Sequence, residues 1–77
     1  MALYFVTIYF IEQKITKHIT TEVETDIHAV AAGRVYARKS SKEKIIVRSR
    51  LAKSIDFRLN PIKFQAPAPK SMAPRHF

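Results

Sequence analysis

Cysteine and tryptophan are absent from the chain, and Gly33 is its only glycine. Without cysteine there is no disulfide, no thiolate zinc site and no thiol nucleophile. A lone glycine leaves no glycine-rich phosphate loop and no nucleophile elbow, both of which need residues free to take unusual backbone angles. Long apolar runs are missing too. The best, Leu3 to Ile11, falls far short of the roughly 20 residues of a membrane-spanning helix. No basic segment precedes that run and no small-residue cleavage site follows it, so the expectation is a soluble, unprocessed, cytoplasmic protein without a membrane partner. The lack of cysteine fits a reducing compartment.

Acidic residues are also scarce. Six stand against 14 lysines and arginines, for a formal net charge of +8. The imbalance is local. Residues 1–33 carry Lys14 and Lys17 against four acids, whereas residues 34–63 carry ten cations against only Glu43 and Asp56. Such an uneven distribution points to a polyanionic partner or an acidic protein surface.

The chain of 77 residues forms one small domain, and a core of that size seldom leaves more than roughly 3–5 kcal/mol of net stability without a staple. Self-association as a homodimer, or docking on a larger assembly, is a natural source of what is missing.

Within this frame the pattern reads ββαββ. In 3–11 the odd positions are Leu3, Phe5, Thr7, Tyr9 and Ile11 and the even ones Tyr4, Val6, Ile8 and Phe10. Side chains alternate across a strand, so both faces of this one are apolar and call for cover. After Glu12-Gln13-Lys14, read as a turn, a second strand alternates Ile15, Ile19 and Val23 with Thr16, His18, Thr20 and Glu22. Its polar half places it nearer an edge. Thr25 or Asp26 can cap the helix that follows. From Ile27 the period is helical, with Ile27, Val30, Gly33 and Ala37 along one stripe and Ala29 and Tyr36 on its flank. Gly33 weakens a helix by about 1 kcal/mol relative to alanine, and close approach of helix to sheet would offset that. Ser40-Ser41 ends the helix.

Residues 43–51 alternate again. A further alternation, Ile55, Phe57 and Leu59, reads as the last strand, closed by Asn60-Pro61. Ile62 and Phe64 read as a docking contact. The fold class is therefore α+β, a small ββαββ domain with one helix packed on a mainly antiparallel four-stranded sheet. It occupies residues 1–64, and residues 65–77 form an extended Pro-rich C-terminal arm.

No catalytic constellation is visible, so the chain is read as not an enzyme, without cofactor or metal. His28 beside Glu24 and Asp26, and Glu22 with Glu24, are better read as solvated groups than as ligands. The basic set is the stronger signal. Lys44, Arg48 and Arg50 project from one strand face, with Arg58 joining them if the last strand pairs alongside. Arg34, Arg38 and Lys39 at the helix end and Lys42 in the loop extend the track. Rings on the same face, Tyr4 and Phe10 by expectation, would stack on bases while the cations follow phosphates.

The first functional reading is thus a basic module contacting nucleic-acid backbone with little sequence specificity. The alternative is a protein–protein module: a small subunit of a viral or cellular assembly, or an inhibitor docking on a host enzyme. Its contacts would be Tyr4, Phe10 and Phe64, with Pro67, Pro69, Met72 and Phe77 of the arm. In size, pattern and basic arm the chain is similar in style to accessory proteins of bacteriophages. That likeness is one of architecture and carries no motif.

Overall fold

A computed structural model describes residues 1–66. Strands β1 (Ala2–Phe10) and β2 (Ile15–Val23) form a hairpin, followed by helix α1 (Asp26–Arg38) and strand β3 (Ile45–Leu51). A 3-10 helix, Ser54–Leu59, leads to the two-residue strand β4 (Ile62–Lys63). The sheet order is β3-β1-β2-β4. β1 runs antiparallel to both neighbours, and β4 lies parallel to β2. The expected α+β class and ββαββ order hold, with one helix on a mixed, mostly antiparallel sheet.

Register decides which face of β1 meets the helix. Residues directly opposite in an antiparallel pair share a face. Val6 pairs with Ile19 and Ser49, and Ile8 with Lys17 and Val47. A Cβ built on Gly33 would stand 2.8 Å from Val6 Cγ1, 2.9 Å from Val47 Cγ1 and 3.7 Å from Ile8 Cγ1. The even positions of β1 therefore face α1, and the lone glycine is the point of closest approach. Val6, Ile8, Phe10 and Ile19 are buried there with Ala29 and Ala37, and Tyr4, Tyr36, Ile45, Val47 and Phe64 pack around them.

Thr25 is the N-cap of α1, with its hydroxyl accepting from the His28 N–H. The buried stripe is Ala29, Ala32, Gly33 and Ala37. It is rotated from the expected one, because Ile27 is 76% exposed. Alanine and glycine let the helix backbone sit low on the sheet, which a stripe of larger residues would prevent.

The larger correction concerns residues 54–59. They form a 3-10 helix instead of a strand beside β3, with Asp56 buried and Ile55, Phe57 and Leu59 exposed. The cause is local side-chain bonding, which competes with extended structure. The Asp56 carboxylate accepts from the Lys53 N–H at 2.6 Å and from both terminal nitrogens of Arg50 at 2.5 and 2.8 Å. The fourth strand is β4, on the far side of β2. Its line is prolonged by Gln65, whose amide accepts from the Glu22 N–H and donates to the Glu22 carbonyl. β2 is thus one place from the edge, covered by β4 only at Ile19 and Thr20.

Candidate nucleic-acid interface

The side of the sheet turned away from α1 carries the other half of each strand. By register, Tyr9 lies between Thr16 and Ile46, Thr7 between His18 and Arg48, and Phe5 between Thr20 and Arg50. Lys44 continues the β3 row, its carbonyl accepting from the Ile11 N–H. Lys44, Arg48 and Arg50 therefore share one face, as their spacing predicts.

Their states differ. Arg50 holds Asp56, which is 3% exposed, and its guanidinium lies 4.9 Å from the Phe5 ring centroid. The bidentate bond with Arg50 holds the Asp56 carboxyl below the usual carboxylate range, helped by the Lys53 N–H. Arg50 is a structural cation, tying the crossover to this face. Lys44 and Arg48 are exposed and make no salt bridge among the described residues. Phe5, Thr7, Arg48, Ser49 and Arg50 line a cleft of about 340 Å³ beside β3.

The rings on this face are not the expected pair. Phe10 is 1% exposed in the core and Tyr4 packs against it from the helix side, so neither serves as a stacking or partner contact on the basic face. Odd numbering places Phe5 and Tyr9 there instead. Phe5 is buried at 4%, stacked on His18 at 5.0 Å between centroids and roofed by Arg50. Thr7 Oγ1 lies 3.2 Å from His18 Nδ1. The half-buried Tyr9 is the ring next to free cations. Sequence reasoning missed it because β1 is apolar on both faces. The one usable signal was Gly33, whose need for a close neighbour does not say which neighbour.

The remaining cations do not form one track. Arg34 lies on the outer side of α1 beside Asp26, Ile27, Val30 and Ala31, across the sheet from Arg48. Arg38 donates to the carbonyls of Ser41 and Glu43, completing the C-terminal turn of α1. Lys39 Nζ sits 5.1 Å from the centroid of the Phe64 ring, which meets Tyr36 edge-on. Phe64 is thus a core-side docking residue, as its position after Asn60-Pro61 suggests. Arg58 belongs to the 3-10 helix and has no strand position beside Arg48. Lys42 is exposed in the loop before β3. Pro67, Pro69, Met72 and Phe77 lie outside the described residues.

Glu43, the second acid of the basic region, also has a structural role. Its carboxylate accepts from the Glu12 N–H at 2.8 Å, the Gln13 N–H at 3.3 Å and Ser41 Oγ at 3.0 Å, and from the Gln13 side chain. These bonds, led by the Gln13 side chain, lower its pKa and join the β1–β2 turn to the loop before β3. The two acids of residues 34–63 are thus both consumed internally.

Among the described residues no three histidine, cysteine, aspartate or glutamate side chains gather as a metal site, and no helix is long and apolar enough to cross a membrane. Comparison with known protein families, curated proteins and solved structures finds no match.

Proposed function

We propose that this protein is a non-enzymatic binding module that takes the backbone of single-stranded nucleic acid across the helix-free face of its sheet. The observation that carries the reading is the adjacency of Tyr9 on β1 to the free cations Lys44 and Arg48 in the next row of the same face, with His18 one row further on, across Thr7. A ring offers stacking to any base, and exposed cations follow phosphates without reading sequence. Lys42, exposed in the loop before β3, is assigned to the same contact. Arg34, Arg38 and Lys39 have no part in this contact, because α1 covers the opposite face.

The test is the affinity for a labelled thymidine decamer over a series of sodium chloride concentrations. Contacts from Lys42, Lys44 and Arg48 neutralise about three phosphates, giving a slope of log affinity on log salt of about −2. Arg48→Ala reduces that slope by about one contact's share and weakens binding to different sequences alike. An affinity indifferent to salt contradicts the proposal.

A second reading, a protein–protein module serving as an assembly subunit or an inhibitor, is favoured by a different observation. Ile55, Phe57, Leu59 and Ile62 are each between 45% and 58% exposed within one short crossover, and clustered apolar exposure marks interaction surfaces. Sedimentation of the purified protein at micromolar concentration checks its homodimeric form. That reading expects a dimer mass for the native chain and a monomer mass for Phe57→Lys.

A further inference from the structure

Strand β3 lies at the edge of the sheet, with β1 as its one strand neighbour among the described residues. The Lys44 carbonyl accepts from Ile11 and the Ala52 N–H donates to the Leu3 carbonyl, so even-numbered residues of β3 bond toward β1. In an antiparallel ladder the alternate residues then turn their N–H and C=O groups outward. Ile45, Val47 and Ser49 do so, and none of their backbone groups has a partner among the described residues. The Leu51 carbonyl accepts from Arg50. This edge has no proline and no glycine, two of the devices that disrupt pairing at a strand edge. Charge is the one protection present, and it has a single sign.

We infer that the β3 edge accepts an extended acidic peptide segment of another protein as a fifth strand. The side-chain pattern specifies the occupant. On the helix-free face β3 presents Lys44, Ile46 and Arg48, with Arg50 already satisfied by Asp56. On the helix side it presents Ile45, Val47, Ser49 and Leu51. A matching strand carries carboxylates on the first face and apolar residues on the second. Opposite charges directly across a strand pair stabilise and like charges destabilise. A second copy of β3 is a poor occupant for that reason. The strand contains no acid, and every symmetric antiparallel register spanning it sets Lys44, Arg48 or Arg50 against a cation of the other copy. The Asp26 carbonyl, held by Ser49 Oγ at 3.3 Å, puts the N-terminus of α1 over the helix side of this strand and leaves the edge open.

The experiment uses the full-length chain and a capped nonapeptide of alternating valine and glutamate, with a valine–lysine peptide as its counterpart. The glutamate peptide binds about tenfold or more tighter than the lysine peptide. It slows exchange of the Ile45, Val47 and Ser49 amide hydrogens, while those of Ile46, Arg48 and Arg50, bonded to β1, are slow throughout. The exposed double variant K44E/R48E reverses the preference. Two further peptides, N-methylated at every valine or at every glutamate, test backbone pairing without altering the protein. Antiparallel addition is abolished by the valine set alone and parallel addition by the glutamate set alone. Equal behaviour of the two methylated peptides, or equal affinity for the glutamate and lysine peptides, overturns the inference. So does protection of the same amides in the free protein that rises with its concentration, which assigns the edge to a second copy. Protection of them by a thymidine decamer in place of the glutamate peptide overturns it as well.

Discussion

Phe10 and Tyr9 are neighbours in β1 and live on opposite sides of one sheet. The side beneath α1 is built as a core: alanines and a glycine lower the helix onto Val6, Ile8, Phe10 and Val47. The other side has no helix and is covered piecemeal. Arg50 and His18 enclose Phe5, Asp56 fixes Arg50, and the cover stops before Tyr9, Lys44 and Arg48. One face holds the domain together, whereas the other spends part of its polar set on anchoring a crossover and leaves the rest to solvent. Position in the register, more than residue type, separates a structural ring from a recognition ring.

Substitutions at the two neighbours should separate most widely. Phe10→Ala empties a buried site and costs about 3–5 kcal/mol, comparable to the whole stability of a domain this small. Circular dichroism should show a largely unfolded chain at 37 °C, ~310 K. Tyr9→Ala should remain folded, with a much smaller fall in thermal midpoint, and lose about 1–3 kcal/mol of affinity for a thymidine decamer.

Gly33→Val probes the helix side from above. A Cβ already meets Val6 and Val47 below 3.0 Å, and these short branched side chains have little room to swing. Overpacking of this kind costs about 1–3 kcal/mol, outweighing the gain of roughly a few tenths of a kcal/mol that valine has over glycine in helix propensity. Urea denaturation should show the loss. A stabilised Gly33→Val would mean that the helix rides higher on the sheet than described.

On the open side the expected effect is smaller and depends on pH. Asp56 ionises below its ordinary value of 3.8, chiefly because Arg50 bonds its charged form. A carboxyl whose folded pKa is depressed adds stability that is present above the unfolded value and is lost as pH falls through the folded one. Stability should therefore drop on acidification below about pH 4. Asp56→Asn should be less stable at neutral pH and show a shallower acid limb. Glu43, shifted in the same direction, supplies the acid dependence that remains.

The alternation of β1 and β2, a cap at Thr25 or Asp26, the helix and the need for close contact at Gly33 were all legible in the sequence, because each is a local consequence of period, side-chain bonding or backbone freedom. The facing of β1 was not, since Leu3 to Ile11 is apolar at both parities and only pairing with β3 resolves it. Ile55, Phe57 and Leu59 misled for a related reason. Their alternation has period two, yet the bonds from Arg50 and Lys53 to Asp56 wind the segment into a 3-10 helix, and pairs between residues three and six apart leave no signature in periodicity. The cationic row of β3 was readable from its spacing. That Arg50 is occupied while Arg48 is free followed only from where Asp56 lands.

The most direct test of the difference between the faces is an NMR titration of the isotopically labelled protein with a thymidine decamer at low salt. Shift changes confined to Tyr9, His18, Lys44, Arg48 and their ladder neighbours, with Arg34 and Arg38 unmoved, are the predicted result. Changes centred on the outer side of α1, or no changes at all, would contradict it.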